Sequence, residues 1–150
     1  MIDFEKLSEE HAARVAARRS DPKPLLAVVS CKTPMAQWPI SSWHYIGRSM
    51  GHSPVYRGSA LANVFHQKDY GREQAIELYR SWLLEKVRAE DREVMRELDE
   101  ILAYSLALDG LALGCWCKPL ACHGDVIVRC VNWLWSQGRR PSGWTVESIR

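Results

Sequence analysis

Three thiols and an imidazole fall within the segment Cys115-Trp116-Cys117-Lys118-Pro119-Leu120-Ala121-Cys122-His123, which runs on into Gly124-Asp125. An apolar run precedes it and a helix-like segment follows. Read as the end of a strand, Cys115 and Cys117 share one face and Trp116 points to the other, because side chains alternate along a strand. Cys122 and His123 then fall in the loop or the first helical turn. Three chemistries suit these residue types. As a metal centre, Cys115, Cys117 and Cys122 supply soft ligands, with His123 or the distant Cys31 as the fourth. Zinc or an iron–sulfur cluster would be the occupant, although the spacing departs from the usual zinc pairs and from the ferredoxin runs. As a thiolate centre, Cys122 sits where free backbone donors and the helix dipole lower a thiol pKa, which makes it the cysteine expected to alkylate first. Cys117, His123 and Asp125 complete the candidate catalytic set. His44, His52 or His66 could approach through the fold as a base, and Asp125 is equally suited to capping the helix. As packing residues, Cys115 and above all Cys130 serve as small buried hydrophobes.

A second cluster follows a candidate strand at Trp43: Gly47-Arg48-Ser49-Met50-Gly51-His52-Ser53-Pro54 and then Arg57-Gly58-Ser59. Glycine lets the backbone approach a ligand closely, and arginine grips a carboxylate or phosphate with two parallel hydrogen bonds. Gly47, Arg48, Arg57, Ser59 and Asn63 are therefore the candidate substrate-binding residues for a small anionic ligand. The glycine spacing is neither that of a Walker loop nor that of a Rossmann turn. The plainer alternative is an exposed loop whose arginines pair with nearby acids.

The elements that must position these residues follow from periodicity. Phe4, Leu7, Ala12 and Val15 give a partial apolar stripe over residues 3–19, with Asp3 as cap and Arg18 and Arg19 near the helix end. Residues 25–29, 43–46 and 111–117 read as short buried strands. Residues 72–89 form a helix through Ala75, Ile76, Tyr79, Leu83 and Val87. A second spans 91–108 through Val94, Leu98, Ile101, Leu102 and Ser105, and a third spans 125–135. Trp144 and Ile149 are the expected anchors of the tail. Apolar strands separated by helices predict an α/β fold, a small three-layer sandwich with a mostly parallel sheet and flanking helices. Residues 1–24 form an N-terminal helical extension, 25–138 the α/β domain and 139–150 a C-terminal tail. Ligands in such folds sit beyond the carboxyl ends of the strands, where Cys31, the Gly47 loop and the cysteine segment all fall.

Composition narrows the setting. With 150 residues and 47% hydrophobic content, the chain can bury a sizeable core. A net charge of +2 is too small to point to nucleic acid, and the stretch 71–110 is net acidic. No run approaches the roughly 20 apolar residues of a membrane span. The acidic N-terminus lacks an apolar signal region, and five cysteines in an uneven cluster do not make a secreted disulfide framework. The expected location is the reducing cytoplasm.

The blocks Tyr45-Ile46-Gly47-Arg48-Ser49, Arg57-Gly58-Ser59-Ala60-Leu61-Ala62-Asn63-Val64-Phe65, the helix opening at Gly71-Arg72-Glu73-Gln74, and Leu113-Gly114-Cys115 through Cys122-His123-Gly124-Asp125-Val126 stand in an order that resembles the bacterial and phage domain-of-unknown-function family 4326. The resemblance spans residues 43–135. Ala62-Asn63-Val64-Phe65 stands where that family has Gly-Asn-Pro-Phe, so Asn63 and Phe65 match while the turn residues differ. The connection over 88–109 is longer than usual. The resemblance implies a shared site rather than a known reaction, and its phage members make nucleotide or nucleic-acid metabolism the context. The expectation is an enzyme acting on a small anionic metabolite such as a nucleotide or nucleoside. Arg48 or Arg57 would hold the anion, Asn63 would orient a polar group and Cys122 would react. The alternatives are a noncatalytic zinc-containing module organising a protein or nucleic-acid surface, and an accessory protein that binds its ligand without turnover.

Overall fold

Three short apolar runs form strands β1 (Leu26–Ser30), β2 (Trp43–Tyr45) and β3 (Leu111–Cys115) in the computed structural model, which describes residues 3–51, 53–108 and 110–141. His52 and the expected tail anchors Trp144 and Ile149 lie outside the described residues. The sheet order is β1-β3-β2 and both pairings are parallel. The register sets Leu26 opposite Leu111, Ser30 opposite Cys115 and Tyr45 opposite Gly114. Every residue of β3 is buried, which is why this strand reads as apolar throughout rather than alternating. Parallel neighbours need long crossovers, and the helices supply most of that chain.

Those helices are α1 (Phe4–Ser20), α2 (Gln67–Tyr70), α3 (Arg72–Arg88), α4 (Arg92–Ala107) and α5 (His123–Ser136). Leu111, Leu113 and Cys115 join Tyr79, Leu83, Leu98, Leu102, Ile127 and Val131 in one buried cluster, so α3, α4 and α5 cover one face of the sheet. The other face is lined by the small residues Ala112 and Gly114. A side chain at Gly114 would come within 3.0 Å of Cys31 Sγ and 3.2 Å of the Trp43 ring. Over it lies an edge-to-face series of aromatic rings: Trp38 on Trp43 at 5.6 Å, Tyr45 on Tyr56 at 5.2 Å and Tyr56 on Trp116 at 5.1 Å. The third layer is thus built from loops and a short 3-10 turn at Met35–Gln37.

α4 and α5 are the most amphipathic elements, and α4 is capped by Asp91, whose carboxylate accepts from Val94 N at 3.1 Å. α1 behaves differently. Asp3 caps it as expected, accepting from Lys6 N at 3.0 Å, but the helix buries no side chain and Phe4 remains 77% exposed. Its attachment comes from Arg18, which donates to Ser105 O at 2.8 Å, to Leu106 O at 2.9 Å and to Leu108 O. Carbonyls at the end of α4 lack intrahelical donors, so a guanidinium there satisfies several at once.

The first turn of α5 packs directly on the sheet through Gly124, where a Cβ would lie 2.8 Å from Val28 Cγ1 and 3.0 Å from Ile46 Cδ1. We expect Gly124→Ala to destabilise the fold by about 1–3 kcal/mol through overpacking, measured by urea unfolding. An unchanged midpoint would show that this contact is not tight.

Candidate functional site

β3 ends at Cys115, two residues short of the expected boundary, so Cys117 belongs to the connection rather than to the strand. Trp116 turns to the aromatic face as alternation predicts, its Nε1 donating to Tyr45 Oη at 2.9 Å. A cis Lys118–Pro119 bond lies in this connection, and the chain returns so that Cys122 becomes the N-cap of α5. The cap is reciprocal. Gly124 N donates to Cys122 Sγ at 3.3 Å, and Cys122 N donates to Asp125 Oδ2 at 3.2 Å. Lys118 Nζ holds the second carboxylate oxygen at 2.7 Å. Asp125 therefore acts as a cap, the plainer of its two expected roles. The start of α3 braces the same loop through Arg72 Nη1, which donates to Ala121 O at 3.0 Å.

Two of the three sulfurs meet, and all three cysteines line one cleft. Cys115 Sγ lies 3.2 Å from Cys122 Sγ, and both residues are 1% exposed. Cys117 is half-buried and receives a hydrogen bond from Gln67 Nε2 at 3.4 Å. Hydrogen bonds from Cys115 and Cys122, assisted by Arg72 and Gln67, hold the Cys117 thiol far below the ordinary range despite partial burial. Cys122 shifts upward because Cys115 and Cys117 both favour its protonated form and burial adds to this. Both directions favour charge on Cys117 over Cys122, where the Gly124 donor opposes the larger effects of the neighbouring sulfurs and of burial.

His123 is buried and its Nε2 lies 2.7 Å from Ile46 O, with its ring edge-on to Tyr79 at 5.1 Å. Burial lowers its pKa, so the neutral ring donates from Nε2 and pegs α5 to the end of β2. Cys31 sits on the aromatic face beside Gly114, apart from the three-sulfur cluster, and burial with Cys115 nearby pushes its thiol up to about 11. Among the described residues no group of three or more His, Cys, Asp or Glu side chains is arranged to hold a metal ion.

A cleft of about 480 Å³ opens over this cluster, lined by Tyr45, Gly47, Arg48, Asn63, Phe65 and Lys68 together with Trp116 and Cys117; Cys115, Cys122 and His123 line it as well. Cys117 and Cys122 thus share one crevice with Gly47 and Arg48, as the strand-end rule predicts. Gly47 has a local reason to be glycine, since a Cβ there would collide with the hydroxyl end of Tyr45. That hydroxyl donates to Arg48 O at 2.6 Å. The Arg48 guanidinium is braced by Nε donating to Asn63 O at 2.8 Å. Asn63 uses its own side chain in the loop: Oδ1 accepts from Phe65 N at 2.9 Å and Nδ2 donates to Ala75 O at 3.4 Å. Asn63 therefore shapes the turn that presents Arg48.

Arg57 and Ser59 line a different cleft, of about 720 Å³, with His44, Arg96 and Glu97. The Glu97 carboxylate ties that region together. It accepts from His44 Nε2 at 2.8 Å, from Ala60 N at 2.8 Å and from Ser59 Oγ. Burial alone would raise the Glu97 pKa, but the His44, Ser59 and Ala60 donors hold it below the usual value. His44 is committed there, whereas His66 lines the first cleft. Sequence reasoning passed over Tyr45, Gln67, Lys68 and Arg72 as site residues. The available signal was a second helix start, at Gly71, immediately preceded by polar side chains.

A parallel three-stranded α/β domain with a cysteine loop leaving its central strand is the class that fold and site define. Residues 35–133 match the family described as "Domain of unknown function (DUF4326)", and the chain belongs to that family. It is also similar to the "Uncharacterized 12.4 kDa protein in nrdA-td intergenic region" of Enterobacteria phage T4. The two are 34% identical over 80 residues, covering 53% of this chain and 67% of the phage protein. No solved structure matches the chain. Among the described residues no helix is long and apolar enough to cross a membrane.

Two measurements follow from this geometry. Mass-resolved alkylation of the folded protein should label Cys117 first, because Cys115 and Cys122 are more deeply buried and the Cys117 thiol is held below the ordinary range. Cys31 and Cys130, both pushed up to about 11, should label slowly and accelerate as pH rises. Glu97→Gln should cost about 1–3 kcal/mol in urea unfolding. Because the folded pKa is depressed, this stabilisation is full above the unfolded value of about 4.3 and fades as pH falls through the lower folded value. The variant should lack that part of the acid slope.

Proposed function

We propose that this chain is an enzyme domain whose first cleft binds a small anionic metabolite with a planar ring, a nucleotide or nucleoside in class, and brings it against the Cys117 sulfur. The observation that supports this most is the meeting of three features in one cleft. A solvent-reachable thiol sits among hydrogen-bond donors, Arg48 and Lys68 supply positive charge, and Tyr45, Phe65 and Trp116 supply aromatic wall. Arginine and lysine suit a phosphate or carboxylate, and an aromatic wall suits a stacked base. In this reading Cys117 is the nucleophile, Arg48 holds the anion, and Asn63 acts through Arg48. Cys122 and Asp125 fix the helix start beneath the ligand. A second reading gives the same three cysteines to a soft metal ion, zinc or iron, and its only support is the close approach of the Cys115 and Cys122 sulfurs. Elemental analysis of anaerobically purified protein separates the two.

The test is calorimetric titration with a panel of nucleosides and nucleotides. A true ligand should bind about tenfold more weakly to Arg48→Ala. Trp116→Ala should lose on the order of 1–3 kcal/mol if a base stacks there. Cys117→Ser should retain binding and abolish turnover. Binding no tighter than that of inorganic phosphate across the whole panel would reject this ligand class.

A further inference from the structure

The cysteines of the loop differ in burial: one is half-buried and two are almost fully buried. Cys115 and Cys122 are 1% exposed with Sγ atoms 3.2 Å apart, whereas Cys117, two residues on from Cys115, is half-buried in the wall of the same cleft. A nucleophile working alone has no use for two further thiols in mutual contact behind it. A disulfide bond is about 2.05 Å long, so the buried pair lacks only about 1 Å of approach, within reach of small side-chain rotations. Thiol–disulfide exchange needs this division: an accessible attacking sulfur and a second thiol placed to displace it.

We propose that the cysteine loop is a thiol–disulfide exchange centre for low-mass disulfides, in which Cys117 is the entry sulfur and Cys115 and Cys122 are the buried pair that ends oxidised. The proposal rests on the reading of Cys117 as the reactive thiol of the first cleft. The Cys117 thiolate attacks one sulfur of R–S–S–R. A bond forms between them, and the original S–S bond breaks with its electron pair leaving on RS⁻. Cys122 gives its proton to that thiolate and attacks Cys117 Sγ, forming Cys117–Cys122 and expelling the second RS⁻. Cys115 then gives its proton to the second thiolate and attacks Cys122 Sγ, releasing Cys117 as a thiolate again. One low-mass disulfide becomes two free thiols, and two protein thiols become the Cys115–Cys122 disulfide. Oxidation would also reach the fold, because Cys122 Sγ is the acceptor that caps α5.

The experiment uses the full chain as purified, incubated with oxidised glutathione, quenched in acid and mapped by mass spectrometry without reduction. The expected product is a Cys115–Cys122 cross-link with matching release of reduced glutathione. Cys117→Ser should slow its formation roughly tenfold or more, since the accessible thiolate is gone. Cys115→Ala should stop at Cys117–Cys122, and Cys122→Ala at a Cys117–glutathione mixed disulfide. These two variants test separate steps, so one suffices if the other fails to fold. A wild-type protein that accumulates the Cys117–glutathione adduct without any cross-link overturns the exchange centre and leaves Cys117 a reactive thiol. A Cys117 inert both to glutathione and to alkylation removes both readings. Stoichiometric metal that keeps all three sulfurs unreactive overturns the exchange centre as well.

Discussion

The pairing of β3 on both sides, in parallel, is the constraint from which the rest of this structure follows. A central strand with two parallel neighbours sends all three carboxyl ends out at the same edge of the sheet. The ladder continues past the strands, with Cys31 N donating to Cys115 O at 2.7 Å and Ile46 N to Gly114 O at 3.1 Å. The loops after β1, β2 and β3 therefore begin side by side. The same strand separates their side chains by face. Cys115 is directed into the helical layer, while Gly114 makes room for Cys31 and Trp43 on the aromatic layer. The cysteine loop can gather three thiols and leave a fourth behind for this reason.

Within that frame the site is decided by competition among like groups. Neighbouring thiols cannot all carry charge, because each thiolate raises the cost of the next. Exposure and donors select the winner. Gln67 and Arg72 come from a different stretch of chain and favour Cys117, while Cys122 has water excluded and only backbone amides of the helix start as donors. Tyr45 lines both clefts, so β2 is the wall between the cysteine chemistry on one side and the Glu97 network on the other.

The sheet and helices were legible in the sequence because burial leaves a local record. Continuous apolar runs at 26–30 and 111–115 and the spacing of Val94, Leu98, Ile101 and Leu102 need no knowledge of distant partners. That a helix opens just after Cys122 was legible for the same reason, although the expected cap was Asp125 and Cys122 takes the N-cap position instead. What could not be read depends on which distant groups meet. The bond between His44 and Glu97 joins residues 53 positions apart, and its pull takes Ser59 and the adjoining Arg57 into a cleft of their own. The stripe on α1 misled because Phe4 and Leu7 have the right spacing but no surface to pack against.

That last helix has a consequence for how the chain can vary. With no side chain buried, α1 asks of most of its positions only that they be compatible with a helix, a requirement many residues meet within a few tenths of a kcal/mol. The family match begins at residue 35, beyond it. Substitutions along α1 should accumulate nearly neutrally, and charge or polarity there can drift without disturbing the sheet. Arg18 is the exception, because three carbonyls at the end of α4 answer to it alone among the groups that reach them from α1. In a lineage of such chains the helix would read as variable sequence around one fixed arginine.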